Sequence, residues 1–389
     1  MTLRGSACIA GAYEHPTRFA PDKSLAQLHA ESALGALRDA GLALRDVDGL
    51  FCAGDAPGAS TTSMAEYLNL KLSYMDGTDL GGCSAIAQVG HAAAAIAMGK
   101  CSVALVTLGG KPRSLGVSIG TQPRAADPHK PEAAWDTPYR WNIVGINGCI
   151  AQRHMHLYGT TSEQLAWVKV AASHHAQHNP NAQFRKPVSV HDVLASPVIA
   201  DPLHRLDCCV ITDGGGALVL TRSEIARSLG RPVVGVLGCG ETLKTGDGGY
   251  LDMVVTGAAR SGALAFDEAG LTPADIRYAS IYDNFTISVI IQLEDLGFCE
   301  KGRGGRFVEG GQLIAGMGRL AVNTDGGGLC NNHPANRGGI TKVIEAVRQL
   351  RGEAHSEVQV KGLEFALACG PGVTLGGAHN HATLILGRV

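Results

Sequence analysis

The sequence predicts an α/β protein built from two similar halves, and three observations carry that prediction. An amphipathic helix, a glycine stop, a turn and an apolar strand follow one another in "SLAQLHAESALGALRDAGLALRDVDGLFCAG" and again in "TGAARSGALAFDEAGLTPADIRYASIYDNF". Gly41 and Gly270 stand 229 positions apart, and the same offset carries Ala36 onto Ala265, Leu42 onto Leu271, Asp46 onto Asp275 and Val47 onto Ile276. Each half then reaches a glycine-rich loop that leads into a helix and a strand: "DLGGCSAIAQVGHAAAAIAMGK" before "SVALVTLGG", and "NTDGGGLCNNHPANRGGITKVIEAVRQL" before "FALACGPGV".

These repeats divide the chain at residues 1–230 and 231–389. The segment from about 113 to 205 interrupts the alternation and is expected to be an inserted loop domain within the first half. Its helix "TTSEQLAWVKVAASHHAQHNPNAQF" carries His174, His175 and His178 among polar residues, and the spacing reads as a solvated face rather than a metal site. "DCCVITDGGGALVLT" returns to a buried strand, and its glycines lack the Lys-Ser/Thr of a phosphate loop.

With 389 residues, 45% hydrophobic and 17% charged, the chain has ample material for a large core. Its formal net charge of -2, with both signs interspersed, offers no basic stripe for nucleic acid and points to a small or acyl substrate. No apolar run is long enough to span a bilayer, "MTLRGSACIAGAYEHPTR" reads as an opening strand rather than a leader, and "LILGRV" is not a peroxisomal address of the Ser-Lys-Leu type. A cytoplasmic protein without membrane association is therefore expected. Eleven cysteines, many in apolar surroundings and none in a CxxC pair, read as reduced thiols with no metal site among them.

Four side chains are candidates for chemistry. Cys83 follows two glycines at the start of a helix whose Ile86, Val89, Ala93 and Ile96 fall on one face. There the helix dipole and free N–H groups favour a thiolate and an oxyanion, and a small packed core residue is the plain alternative. His333, before Pro334 and among glycines, can supply a base, or can be a surface histidine in a turn. In "SIYDNFT", Tyr282 stands at a strand end where a phenol can donate to an oxyanion, unless it only fills core beside an Asp283-Asn284 turn. Cys369 is placed where a strand gives way to a Gly/Pro loop, so that its thiol and the Gly370 and Gly372 N–H groups can line a pocket, or the thiol can be buried at the strand end.

Five ordered segments, "CSAIAQVGHAAAAIAMGKCSVALVTLG", "YGTTSEQLAWVKVAASHHAQHNPNAQF", "LDCCVITDGGGALVL", "YDNFTISVIIQLEDLGFCEKG" and "GGGLCNNHPANRGGITKVIEAVRQLRGEA", resemble the thiolase superfamily, in its sterol-carrier-protein thiolase and lipid-transfer-protein branch. The resemblance covers nearly the whole chain. It implies a five-layer αβαβα fold of two duplicated halves with a loop domain over the site, and a homodimer or tetramer. It also implies a coenzyme A thioester as substrate with no tightly bound cofactor, Cys83 as acyl-accepting nucleophile and His333 as its base. Gly372 and Asn332 are assigned to binding that thioester.

The expected activity is that of an acyltransferase or thiolase of lipid, sterol or aromatic-acid metabolism, making or cleaving a carbon–carbon bond. Three departures bear on it. Asn332 replaces the glycine of the family's Gly-His-Pro, Tyr282 stands where an amide or imidazole is usual, and in "CGPG" the glycine of the Cys-x-Gly pattern falls one place late. The second acid/base is therefore Cys369 or Tyr282, and a tyrosine there resembles the retro-aldol lyases of steroid side-chain degradation. The remaining alternative is a non-catalytic acyl-binding subunit. The resemblance also implies a small zinc-ribbon and oligonucleotide-binding-fold partner protein.

Overall fold

The structure is a computed structural model that describes residues 4–53, 56–117, 142–245, 252–375 and 378–388. Part of the predicted insertion, 118–141, thus lies outside the described residues. The first half runs β1 (Ala7–Glu14), α1 (Leu25–Ala40), β2 (Gly49–Cys52), α2 (Thr61–Tyr67), β3 (Tyr74–Asp76), α3 (Ser84–Ala97) and β4 (Val103–Gly110). The insertion contributes α4 (Ile143–Tyr158), α5 (Ser162–Ala176), α6 (Val190–Leu194) and the hairpin β5 (Val198–Ala200) and β6 (Leu203–His204) before β7 (Gly214–Arg222) and α7 (Ser223–Ser228). The second half follows as β8 (Val234–Lys244), α8 (Ala258–Ala269), β9 (Tyr278–Ile281), α9 (Thr286–Asp295), α10 (Gly304–Val308), β10 (Ala321–Val322), α11 (Gly327–Cys330), α12 (Gly339–Arg351), β11 (Phe365–Leu375) and β12 (Ala378–Arg388).

The sequence repeat is realised residue for residue. Helix α1 begins on a Ser24–Gln27 capping box and ends at Gly41, whose φ of 73° no side-chain-bearing residue adopts cheaply; α8 ends the same way at Gly270, φ 63°. A single 3₁₀ turn then leads into β2 in one half and β9 in the other, and both strand boundaries differ by the same 229 positions.

Among the described residues ten strands are hydrogen-bonded in the order β10-β9-β11-β12-β8-β1-β7-β4-β2-β3, which reads as the same five-strand motif outward in both directions from the β1–β8 junction. In each half the first pair next to the junction is antiparallel, as is the second, and the outer two pairs are parallel. Helix α1 covers the outer face of one half and α8 that of the other, while α3 and α12 pack between them against strands of both. This gives five αβαβα layers from two duplicated halves. The central position explains the alanine-rich composition of α3, which is buried nearly all round and must sit close to its neighbours.

The insertion corrects one expectation. His175 is fully buried, not solvated: its Nε2 accepts from the Ala315 backbone N–H (2.9 Å) and its Nδ1 donates to the Asn323 carbonyl (3.3 Å). The periodicity missed this because α5 is itself covered on several sides, by α6, α9, α10 and α11.

Candidate active site

The glycine-flanked cysteine sits at the mouth of the central layer. Asp79 accepts from the Gly81 N–H (3.1 Å), and the Gly81–Cys83 turn delivers Cys83 to the N-cap of α3. The thiol is fully buried and donates to the Leu80 carbonyl at 3.5 Å. Burial pushes its pKa up to about 12, and the charges of Glu241 and Asp79 act in the same direction. Desolvation therefore outweighs the helix-terminus effect that favours a thiolate.

The histidine loop lies at the equivalent place in the second half. Asp283 holds it from below, accepting from the N–H groups of Gly328 (2.7 Å) and Leu329 (3.1 Å) and from Lys342 Nζ (2.6 Å) in a fully buried ion pair. His333 follows α11, and its Nε2 is buried with no hydrogen-bond partner among the described residues. Burial, reinforced by the Lys342 ammonium, lowers the imidazole pKa to about 4 and keeps the ring neutral.

Tyr282 bridges the two loops. Its ring stands edge-on to His333, with centroids 5.4 Å apart at 69°, and its hydroxyl donates to the Ala335 carbonyl (3.0 Å). A Cβ placed on Gly82 would lie 3.2 Å from Tyr282 Oη, and one on Gly339 would lie 2.1 Å from the Gly82 carbonyl, so the three segments touch through glycines. Burial raises the phenol far above its usual range, which keeps it protonated.

Cys83, Tyr282, His333 and Gly372 therefore converge, the last because a Cβ there would sit 3.0 Å from the Cys83 sulfur. Two expected residues do not join them. Strand β11 runs on through Cys369 instead of ending there. Ala366 and Ala368 face the central helices, whereas Leu367 and Cys369 face the outer side with Ile281 and Ile290. The Cys369 thiol points to Gln292 Oε1 (3.6 Å), within a network that continues to His381 and Ser261. The Asn332 amide is occupied as well, accepting from Thr212 Oγ1 (2.7 Å) and donating to Glu14 (2.9 Å).

Sequence reasoning missed Arg337, Lys342 and Thr212. Lys342 left a signal: it interrupts the apolar face of "GGITKVIEAV", where a lysine demands a buried partner. Beside the site, a cavity of about 660 Å³ is lined by residues including Arg113, Lys169, Phe184, Arg205, Cys209 and Ile211. Lys169 is already committed to the Leu329 carbonyl (2.7 Å) and the Phe184 ring.

The chain is 37% identical over 390 residues, 96% of its own length and 99% of the relative's, to a 17-hydroxy-3-oxo-4-pregnene-20-carboxyl-CoA lyase of Mycobacterium tuberculosis. The chain belongs to the thiolase superfamily, in its sterol-carrier-protein thiolase branch. Residues 248–388 of this thiolase-family chain match the model of the thiolase C-terminal domain-like family. It is also 33% identical to an acetyl-CoA acetyltransferase of Methanothermobacter thermautotrophicus, covering 92% of this chain and 94% of that one. Among solved structures it is similar to an Ltp2-ChsH2(DUF35) aldolase, with a TM-score of 0.86, 31% identity and coverage of 99% and 98%. The relatives named as lyase, aldolase and acetyltransferase mark an enzyme family, and no helix among the described residues is long and apolar enough to cross a membrane.

Proposed function

We propose that this thiolase-family enzyme is a carbon–carbon lyase that cleaves a 3-hydroxyacyl-CoA by a retro-aldol route. The observation that carries the reading is the edge-on pairing of Tyr282 with His333, whose Nε2 is unpartnered, beside a Cys83 thiol that burial keeps protonated. The neutral imidazole takes the proton of the 3-hydroxyl, and the Cα–Cβ bonding pair passes into the thioester as an enolate. The Tyr282 hydroxyl gives its proton to Cα, and the imidazolium returns one to the phenolate. A ketone and a shortened acyl-CoA leave, and no proton is gained or lost.

The 660 Å³ cavity is within the size range of ligand pockets, and Arg113 and Arg205 on its wall suit the anionic end of a coenzyme A thioester. The names of the lyase and aldolase relatives support a sterol-like acyl group, and the aldolase's two-protein name supports a small partner. A homo-oligomeric core working with such a partner in the cytoplasm completes the proposal. A second reading, acyl transfer through a Cys83 thioester, is favoured by that residue's place at the N-terminus of α3 and by the acetyltransferase relative.

One experiment separates the two. Incubation with a 3-hydroxyacyl-CoA should release a ketone and a shorter acyl-CoA without any mass adduct on Cys83, and Cys83→Ala should retain turnover. An acyl adduct on Cys83 with a 3-ketoacyl-CoA, together with loss of all activity in Cys83→Ala, would establish the thioester route instead.

A further inference from the structure

We infer that Thr212 is a positioning residue for His333, gripping its backbone from the stretch that directly follows the cavity wall. Thr212 is fully buried and meets His333 twice: its Oγ1 accepts from the His333 N–H (2.8 Å), and its own N–H points to the His333 carbonyl (3.4 Å). The same hydroxyl donates to Asn332 Oδ1 (2.7 Å). Asn332 Nδ2 then donates to Glu14 (2.9 Å), which is fixed in turn by Arg18 (2.7 Å). The chain of contacts runs from His333 to β1, and a glycine at position 332 would have no side chain to complete it.

The residues just before Thr212 make up part of the cavity wall, from Cys209 to Ile211. Their backbone ties to the other catalytic segments, Cys209 N–H to the Asn284 carbonyl and Val210 N–H to the Gly328 carbonyl, both at 2.9 Å. One extended stretch therefore contacts the substrate cavity on one side and registers the loops carrying Tyr282 and His333 on the other. A threonine suits the position because its hydroxyl accepts and donates at once, which valine of the same shape cannot do.

The inference rests on His333 being a working residue, as the proposed function has it. Thr212→Val should lower kcat about tenfold to a hundredfold, the scale of a displaced catalytic group, with KM changed by less than about twofold. Thr212→Ser should recover kcat to within about threefold of wild type, since it restores the hydroxyl. A kcat within about twofold of wild type for Thr212→Val, a loss confined to KM, or no rescue by serine would overturn it. If the thermal transition shows that Thr212→Val is unfolded, Asn332→Ala takes its place and should lower kcat in the same direction; an unchanged kcat overturns the inference.

A readout independent of turnover is the NMR signal of the His333 ring, assigned by its disappearance in His333→Ala. It should shift in Thr212→Val and return in Thr212→Ser. If His333→Ala keeps full activity while that signal moves as expected, the catalytic reading of His333 fails and the grip stands. A signal unmoved by Thr212→Val sinks the grip itself.

Discussion

Arg337 and Asp79 form a two-pronged ion pair, Nη1 to Oδ1 at 3.0 Å and Nη2 to Oδ2 at 3.2 Å, that ties the loop after His333 to the loop before Cys83. It joins the two halves of the duplicated fold at the point where their glycine-rich loops meet. The Arg337 side chain is buried at 3% exposure while that of Asp79 is 40% exposed, so water remains available to the carboxylate when the pair is broken.

Replacing Arg337 with methionine, which keeps the bulk and removes the fork, is expected to cost about 1–2 kcal/mol, less than a fully buried pair would. Urea unfolding of Arg337→Met and Arg337→Lys checks this, with the lysine variant intermediate. Turnover of the methionine variant should fall as well, because the Cys83 and His333 loops lose their shared anchor.

Tyr282→Phe removes the hydroxyl that donates to the Ala335 carbonyl and, in the proposed reaction, to Cα. Turnover of a 3-hydroxyacyl-CoA should fall by about 10²–10⁴, the usual worth of a general acid. Stability should change by only about 1 kcal/mol, the net value of one hydrogen bond. Chromatography of the released acyl-CoA measures the first effect and thermal unfolding the second.

Cys83 should resist alkylation. The thiol is inaccessible and its pKa is raised to about 12, so iodoacetamide at pH 7.5 is expected to modify the exposed Cys149 first and leave Cys83 largely intact in the folded enzyme. Peptide mass spectrometry over a time course reads the order. Rapid labelling of Cys83 would speak for an activated nucleophile and for the thioester route.

Cys369→Ala should leave kcat within a fewfold of wild type, since its thiol faces Gln292 and the outer layer and not Cys83. The cost falls on stability, about 1–2 kcal/mol for a small cavity and a lost partner in a buried network. A collapse of turnover with an unchanged unfolding midpoint would return Cys369 to the catalytic group.

Acid should weaken the fold before it unfolds it. Burial, with the neighbouring His174 acting in the same direction and Asp325 opposing it, lowers the His175 pKa from 6.5 to about 4. Between those values the unfolded chain binds a proton that the folded one does not, so stability rises with pH and is lost as pH falls from about 6.5 toward 4. His175→Gln should be less stable at pH 7, where the two backbone hydrogen bonds are lost, yet show a shallower dependence on pH over that interval. Melting temperatures of both proteins from pH 4 to 7.5 decide it, and parallel curves would contradict the assignment.

The duplicated core was legible in the sequence because it is written in local signals. Gly41 and Gly270 mark helix ends that need a left-handed backbone, and apolar periodicity marks the strands and helices they separate. Cys83 and His333 could be picked out in the same way, since their chemistry is carried by residue type next to glycines and a proline, and Tyr282 by its phenol at a strand end. Which way a side chain faces in a strand buried on both sides is different. Leu367, Ala368 and Cys369 are all apolar or small, so no alternation told the inner face from the outer, and only the packing of β11 turned the Cys369 thiol away from the site.

Local patterns along the chain specify the repeat, the fold class and the residue types that could act. Tertiary structure alone decided how they behave: whether the Cys83 thiol at a helix start is ionised depends on how deeply the two halves bury it. Likewise, Arg337 and Thr212 acquire meaning only when the fold brings them to Asp79 and His333 across gaps of 258 and 121 residues, and only the fold identifies Asp283, 59 residues away, as the partner that Lys342 demands. Desolvation and long-range hydrogen bonding are properties of three-dimensional surroundings, and no local pattern in a chain encodes them.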